Sequence, residues 1–218
     1  GILWVLALAG LMVFPTWMAG WASNNKYALL AGMRSVAQGI SYEIPLVLCA
    51  LIPVIATGEL SISGMVSWQA ENGWIVWRVP VVGLLGLIIF FLASLAEANR
   101  IPFDIPEAES ELVAGVLVEY TGIKVGIFML AEYLHTFVAS ALAATMFLGG
   151  AHGPMPELLG PVWMLLKTGF LFVIIYWIRW SWYRFRADQL MELCWKWLVP
   201  ISLLLVMATS LMVWAGWV

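Results

Sequence analysis

An all-α, polytopic membrane fold is predicted by three features of this sequence: an excess of apolar residues, a scarcity of charge, and six long apolar runs. Of 218 residues, 63% are apolar and 11% charged, against about 45–50% and about 25% in soluble domains. Six spans of about 20 residues each would absorb nearly all of that apolar fraction. These proportions exclude a soluble enzyme. The ten Lys and Arg form no basic stripe, which removes nucleic acid as a partner. The net charge of −3 decides little, because in a membrane the placement of charge matters more than its sum. Cys49 and Cys194 lie far apart with no C-x-x-C spacing, so neither a disulfide framework nor an iron–sulfur site is read from them. Residues 1–218 read as one transmembrane domain.

The six runs cover residues 2–21, 41–57, 74–96, 123–148, 161–180 and 197–217. Each is apolar all round, as a helix facing lipid or other helices must be. The first lacks a basic leader and five more follow it, which argues against a signal peptide. Because position 1 is Gly, a processed or cut-down chain or a gene fragment is expected. The second run carries Pro45 and Pro53 and should be kinked and held by its neighbours. Tryptophans gather near run ends, among them Trp17, Trp21, Trp74, Trp77, Trp180, Trp182, Trp195 and Trp217. Indoles at the headgroup level explain that pattern.

Orientation follows from the cations. Loops 22–40, 97–122 and 181–196, with their edges, hold Lys26, Arg34, Arg100, Lys124, Arg179, Arg184, Arg186 and Lys196. Connections 58–73 and 149–160 and their edges hold only Arg78 and Lys167. The first set is therefore expected in the cytoplasm or an organelle matrix, with both ends of this chain on the other side. No internal repeat suggests the inverted halves of a transporter.

The inside loop 97–122 is the informative one. Glu97, Asp104, Glu107, Glu109, Glu111 and Glu119 fall there with only Arg100 as a cation among them. Helix capping explains part of this: Asp104 as N-cap, Pro106 in the first turn, Glu107 at the third position. Glu109 and Glu111 gain nothing from capping. Glu107 and Glu111 would share a helix face and repel each other. Tucked against the membrane, such acids couple and can hold and pass protons; a merely solvated acidic loop is the alternative.

A second ionisable set lies within the spans. Glu132 sits about 13 Å along the fourth run, followed by His135, Thr136 and Ser140 on one polar stripe. Glu43 opens the second run beside Tyr42, and Lys124 opens the fourth. A carboxylate in a bilayer costs about 2.5–3.5 kcal/mol on insertion scales and marks a proton or ion pathway by default. The alternative for Glu132 is a structural pair with a cation or His of another helix, and His135 by itself reads as a hydrogen-bonding neighbour. No nucleotide loop, haem-ligand pair or hydrolase triad appears. No metal site is expected, and any redox cofactor belongs in a partner subunit.

These residues carry a resemblance. Ala96-Glu-Ala-Asn-Arg-Ile-Pro-Phe-Asp-Ile-Pro-Glu-Ala-Glu-Ser-Glu-Leu-Val-Ala-Gly115 and Val118-Glu-Tyr-Thr-Gly122 resemble the signature of one membrane subunit of respiratory complex I, the H subunit of bacteria and subunit 1 of mitochondria. Ala19-Gly-Trp-Ala-Ser-Asn-Asn-Lys-Tyr-Ala28 and Arg34-Ser-Val-Ala-Gln-Gly-Ile-Ser-Tyr-Glu-Ile-Pro45 resemble its third and fourth helices. Asp188-Gln-Leu-Met191 and Trp195-Lys-Trp-Leu-Val-Pro200 resemble its last loop and helix. Departures are Tyr183 where Pro is usual, Ala187 where an aromatic is common, and Ala151-His152 in place of Trp-Gln.

The resemblance implies an eight-span protein of which two N-terminal spans are absent here. It implies quinone as substrate, a quinone cavity with Arg34, Asp104, Glu107, Glu109 and Glu111, and a proton path with Glu43, Glu97, Glu119, Lys124 and Glu132. The iron–sulfur cluster and FMN would sit in partner subunits, and this chain alone would have no activity. Implied partners are the quinone-module subunits of the peripheral arm, other membrane-arm subunits including antiporter-like ones, and membrane lipid. The implied location is the bacterial cytoplasmic membrane or the mitochondrial inner membrane. The rival readings are a related subunit of a membrane-bound hydrogenase or ferredoxin-linked complex, a free-standing ion transporter, and a passive anchor.

Overall fold

A computed structural model describes residues 1–105, 115–154 and 156–217, and no strand occurs among them. Six helical segments are long and apolar enough to cross a membrane. The first is α1 (Ile2–Gly10) followed by α2 (Val13–Ala22); together they form a span of 21 residues. The remaining helices are α3 (Lys26–Thr57), α4 (Ile62–Asn72), α5 (Ile75–Arg78), α6 (Pro80–Glu97), α7 (Ile123–Phe147), α8 (Pro156–Ser181), α9 (Ala187–Leu193) and α10 (Val199–Trp214). More than half of the apolar window of α3 and α6 is buried, against less than a quarter in the other four spans. Those two helices form the centre. The outer ones turn Trp4, Ile127, Leu165, Met207 and other large apolar side chains outward, as lipid-facing helices do.

Three boundaries differ from the sequence expectation, each for a physical reason. The second span starts at Lys26, so most of the expected inside loop 22–40 is helix. Asn25 caps it, its side-chain oxygen accepting from the Tyr27 amide at 3.0 Å, and Gly58 ends it at φ 70°. Its polar residues Ser35, Gln38 and Ser41 depress local hydropathy yet are buried by helix packing. The third span is divided: Pro80 lacks an amide hydrogen and begins α6 after the single turn of α5.

The sixth span begins ten residues early, at α9. Between α9 and α10 the backbone widens into a π-helical turn, Cys194–Leu198. Pro200 follows at once, and a wider turn moves the carbonyl its ring would otherwise strike. This segment is tied to α3: the Tyr42 hydroxyl donates to the Leu190 carbonyl at 2.9 Å, and the Cys194 thiol donates to the Ser41 carbonyl at 3.1 Å. The outer connection 58–73, expected as a loop, contains α4. Gln69 of α4 is fully buried and donates to the Thr145 and Met146 carbonyls, both at 3.1 Å.

Lys167 has a structural task. Its ammonium donates to the carbonyls of Leu148, Gly150 and His152 at 2.6, 2.9 and 2.7 Å and lies 4.5 Å from the Trp74 ring centre. It thus closes the C-terminal end of α7, where orphan carbonyls and the helix dipole favour a cation. With Lys167 and the buried Arg100 set aside, the cation bias between the two faces is seven against one. Lys167→Met should lower stability by about 1.5–3 kcal/mol through the lost charged hydrogen bonds. Thermal unfolding in detergent measures this; an unchanged midpoint would show that water replaces the ammonium.

Candidate functional site

The chain leaving α6 does not enter solvent. Asn99 adopts a left-handed turn at φ 50°, and Arg100, Phe103 and Ile105 are 6%, 1% and 3% exposed. Phe103 sits 5.8 Å from the rings of both Tyr42 and Phe185. The Gln38 side-chain amide donates to the Ala96 and Phe103 carbonyls, both at 2.7 Å, and the Phe185 amide donates to the Pro102 carbonyl at 3.0 Å. The first eight residues after α6 therefore pack back onto the helices, with Ala98, Arg100, Pro102, Phe103 and Ile105 buried and Asn99, Ile101 and Asp104 half-buried. The apolar triplet Ile101-Pro102-Phe103 is the signal for this: such residues between charges need burial.

This buried turn presents Glu97 and Arg100, three residues apart, to α7, which presents Glu132 and His135 at the same spacing. Arg100 Nη2 lies 3.0 Å from Glu132 Oε2, with side chains 7% and 25% exposed. The Arg100 guanidinium also lies 4.3 Å from the Tyr133 ring centre, a cation–π contact. Glu97 Oε2 lies 3.9 Å from His135 Nε2, with side chains 6% and 11% exposed. Glu132 thus has a cation from another element, the pairing anticipated as its structural alternative. Arg100 had no site assigned to it. The matching Glu-x-x-Arg and Glu-x-x-His spacings are the sequence signal that would have found it.

Below these pairs the polar stripe on α7 turns back on its own helix. The Thr136 hydroxyl donates to the Glu132 carbonyl at 2.7 Å and the Ser140 hydroxyl to the Thr136 carbonyl at 2.9 Å. Each hydroxyl has spent its proton and keeps only acceptor capacity. Glu43, half-buried on α3, lies over Gly10, where an added Cβ would strike its carboxylate. Glu43, Glu97 and Glu132, with Arg100 and His135, are thereby gathered where α1, α3, α6 and α7 meet.

Glu119 and Lys124 stand apart, both exposed. Glu119 accepts from the Asn25 side-chain amide at 2.9 Å, which holds it at the surface of this chain, apart from the buried acids. Arg34 and Asp104 are half-buried, and each is engaged by a partner. Glu107, Glu109 and Glu111, with the capping arrangement expected around Asp104, lie outside the described residues. Among the described residues no three His, Cys, Asp or Glu side chains are grouped to hold a metal ion.

Two cavities adjoin the acids. One of about 430 Å³ runs between α1, α6 and α7, lined by Leu6, Ala9, Phe90 and Leu142 with Glu97 and His135 in its wall. Another, of about 460 Å³, is lined by Gly10, Phe14, Trp17, Met33 and Ile40 with Glu43 in its wall. Carboxylates facing apolar space need a partner or a proton, so the arrangement suits proton exchange better than permanent charge.

The family model described as NADH dehydrogenase matches residues 1–210. The H subunit of NADH-quinone oxidoreductase from Geobacillus thermodenitrificans is 47% identical over 215 residues, covering 96% of this chain and 62% of the relative. NADH-quinone oxidoreductase subunit 8 of Thermus thermophilus is 45% identical over 215 residues, covering 98% of this chain and 57% of the relative. An H subunit of the Geobacter sulfurreducens NADH-quinone oxidoreductase is 43% identical over 213 residues, covering 98% and 60%. The chain spans about three fifths of the length of the curated relatives it matches. With six membrane-crossing helices and a match over nearly its whole length, the chain belongs to the NADH dehydrogenase family.

Proposed function

We propose that this chain is part of the quinone-site and proton-translocating membrane subunit of an NADH:quinone oxidoreductase. The observation that carries the reading is the cluster of paired ionisable side chains, Glu97 with His135 and Arg100 with Glu132, inside an apolar helix bundle. Buried ionisable groups of this kind are costly unless they move charge or fix structure. In this reading Arg34, Asp104, Glu107, Glu109 and Glu111 belong to the quinone cavity. Glu43, Glu97, Glu119, Lys124 and Glu132 form the proton path, with Glu119 and Lys124 at its exposed end. Quinone is the substrate, and partner subunits of the peripheral arm deliver electrons from an iron–sulfur cluster and FMN. Other membrane-arm subunits, including antiporter-like ones, receive the coupling. The host membrane is the bacterial cytoplasmic or mitochondrial inner membrane.

The experiment compares two electron acceptors in the assembled complex. Arg34→Met, and single neutralisation of Glu107, Glu109 or Glu111, should reduce quinone turnover while NADH oxidation by ferricyanide stays at the parent level. That split separates the membrane site from the peripheral redox chain. Quinone turnover per assembled complex equal to the parent across the series would remove these residues from the cavity and end this reading for the loop.

A further inference from the structure

We infer that Glu97 and His135 share a single exchangeable proton, making His135 a proton-carrying member of the cluster rather than a hydrogen-bonding neighbour. The inference deepens the proton-path reading and rests on it for its part in turnover.

Four side chains form two antiparallel pairs, and their charges limit the possibilities. Arg100 and Glu132, 3.0 Å apart, are neutral together. With one proton the other pair is also neutral, either as carboxylic acid with imidazole or as carboxylate with imidazolium. With none it carries a negative charge beside Glu43 and Glu132; with two it carries a positive charge against an apolar cavity wall. Both charged states are penalised where water is scarce. The single-proton state is the one the surroundings favour.

The geometry allows the proton to move. The 3.9 Å between Glu97 Oε2 and His135 Nε2 exceeds a hydrogen bond by about 1 Å, a gap closed by side-chain rotation or one bridging water. In transfer the O–H bond of Glu97 breaks and an N–H bond forms at His135 Nε2, giving carboxylate and imidazolium with total charge unchanged. His135 Nδ1 is buried and has no hydrogen-bond partner among the described residues, so nothing else there fixes the ring's tautomer. The other groups around the pair are Glu43 from α3 and Arg100 from the turn after α6. Glu132 and Tyr133 lie on α7 itself, with Tyr176 and Arg179 of α8 beyond Tyr133. From α1 the cavity wall receives only apolar side chains.

The test is a proton titration of the full-length protein reconstituted in lipid. Glu97 is read from its infrared carboxyl band, assigned by its loss in Glu97→Gln, and His135 from histidine nitrogen NMR. His135→Gln keeps a polar group near the carboxylate without a titrating ring; His135→Asn replaces it should the first variant not fold. Removing His135 should make Glu97 hold its proton about tenfold more tightly, as a neighbouring charge at this distance implies. Glu97→Gln should weaken proton binding at His135 by the same factor, because coupling between two sites is reciprocal. Unchanged affinity at either site, or a change at one site alone, overturns the inference. Proton pumping is measured separately: shifted midpoints with undiminished pumping in His135→Gln would leave the shared proton standing and remove it from the path.

Discussion

Arg100→Met should be the most damaging single substitution in the buried cluster, with little assembled protein in the membrane. Arg100 is 6% exposed, and its guanidinium faces the Glu132 carboxylate at 3.0 Å and covers the Tyr133 ring at 4.3 Å. Removing one member of a buried ion pair costs about 3–5 kcal/mol, because the remaining charge has lost its compensation. Glu132 is 25% exposed, so solvent screening places the loss towards the lower end of that range. The double variant Arg100→Met with Glu132→Gln should recover part of it, since the neutral amide no longer needs the cation. A double-mutant cycle on thermal unfolding, with membrane abundance alongside, gives the coupling directly. Parent-level abundance of Arg100→Met alone would show that the pair contributes nothing to the fold.

Which parts of this molecule could be read from the sequence follows from the range of the interactions involved. Apolar length is local, so the six spans were legible, and α7 ends within one residue of its expected boundary. Helix continuation through polar positions was not legible, because Gln38 is tolerated at 1% exposure only through carbonyls near positions 96 and 103. The same holds for Lys167, read as one of two outside cations yet serving as the cap of α7. In the site, Glu43, Glu97 and Glu132 were recognisable as charges against an apolar background. The pairing of Glu97 with His135 and of Glu132 with Arg100 was signalled only by the matching Glu-x-x-Arg and Glu-x-x-His spacings, since the contacts themselves depend on the turn at Asn99 that brings Arg100 under α7. Glu119 shows the reverse limit: the resemblance groups it with Glu43, Glu97 and Glu132, whereas the structure holds it exposed against Asn25, apart from them.

These contacts also separate two kinds of failure that are easily confused. Tyr42, Gln38, Gln69 and Lys167 spend their hydrogen-bonding groups on backbone carbonyls of neighbouring helices and of the turns that end them, so substituting them lowers the amount of folded protein. Glu43 and Glu97 stand in cavity walls, where substitution leaves the helix scaffold in place. Activity per assembled complex is consequently the quantity to compare. Total membrane activity mixes both effects.

Glu132→Gln should fold and assemble better than Arg100→Met, because a carbonyl dipole still faces the guanidinium, whereas Arg100→Met leaves the carboxylate opposite an apolar side chain. Quinone turnover and proton pumping per assembled complex should nevertheless fall at least about tenfold, the size expected when a positioned proton carrier is removed. Glu132→Asp keeps the titrating proton but withdraws it by one methylene, about 1.5 Å. It should retain part of both activities. The ranking parent, Asp, Gln is the informative result, since a purely structural ion pair predicts another order: Asp, with its shortened reach to Arg100, should then be no better than Gln. Parent-like pumping by an assembled Glu132→Gln complex would make Glu132 a structural counter-ion to Arg100 and move the path to the Glu43–Glu97 side of the cluster.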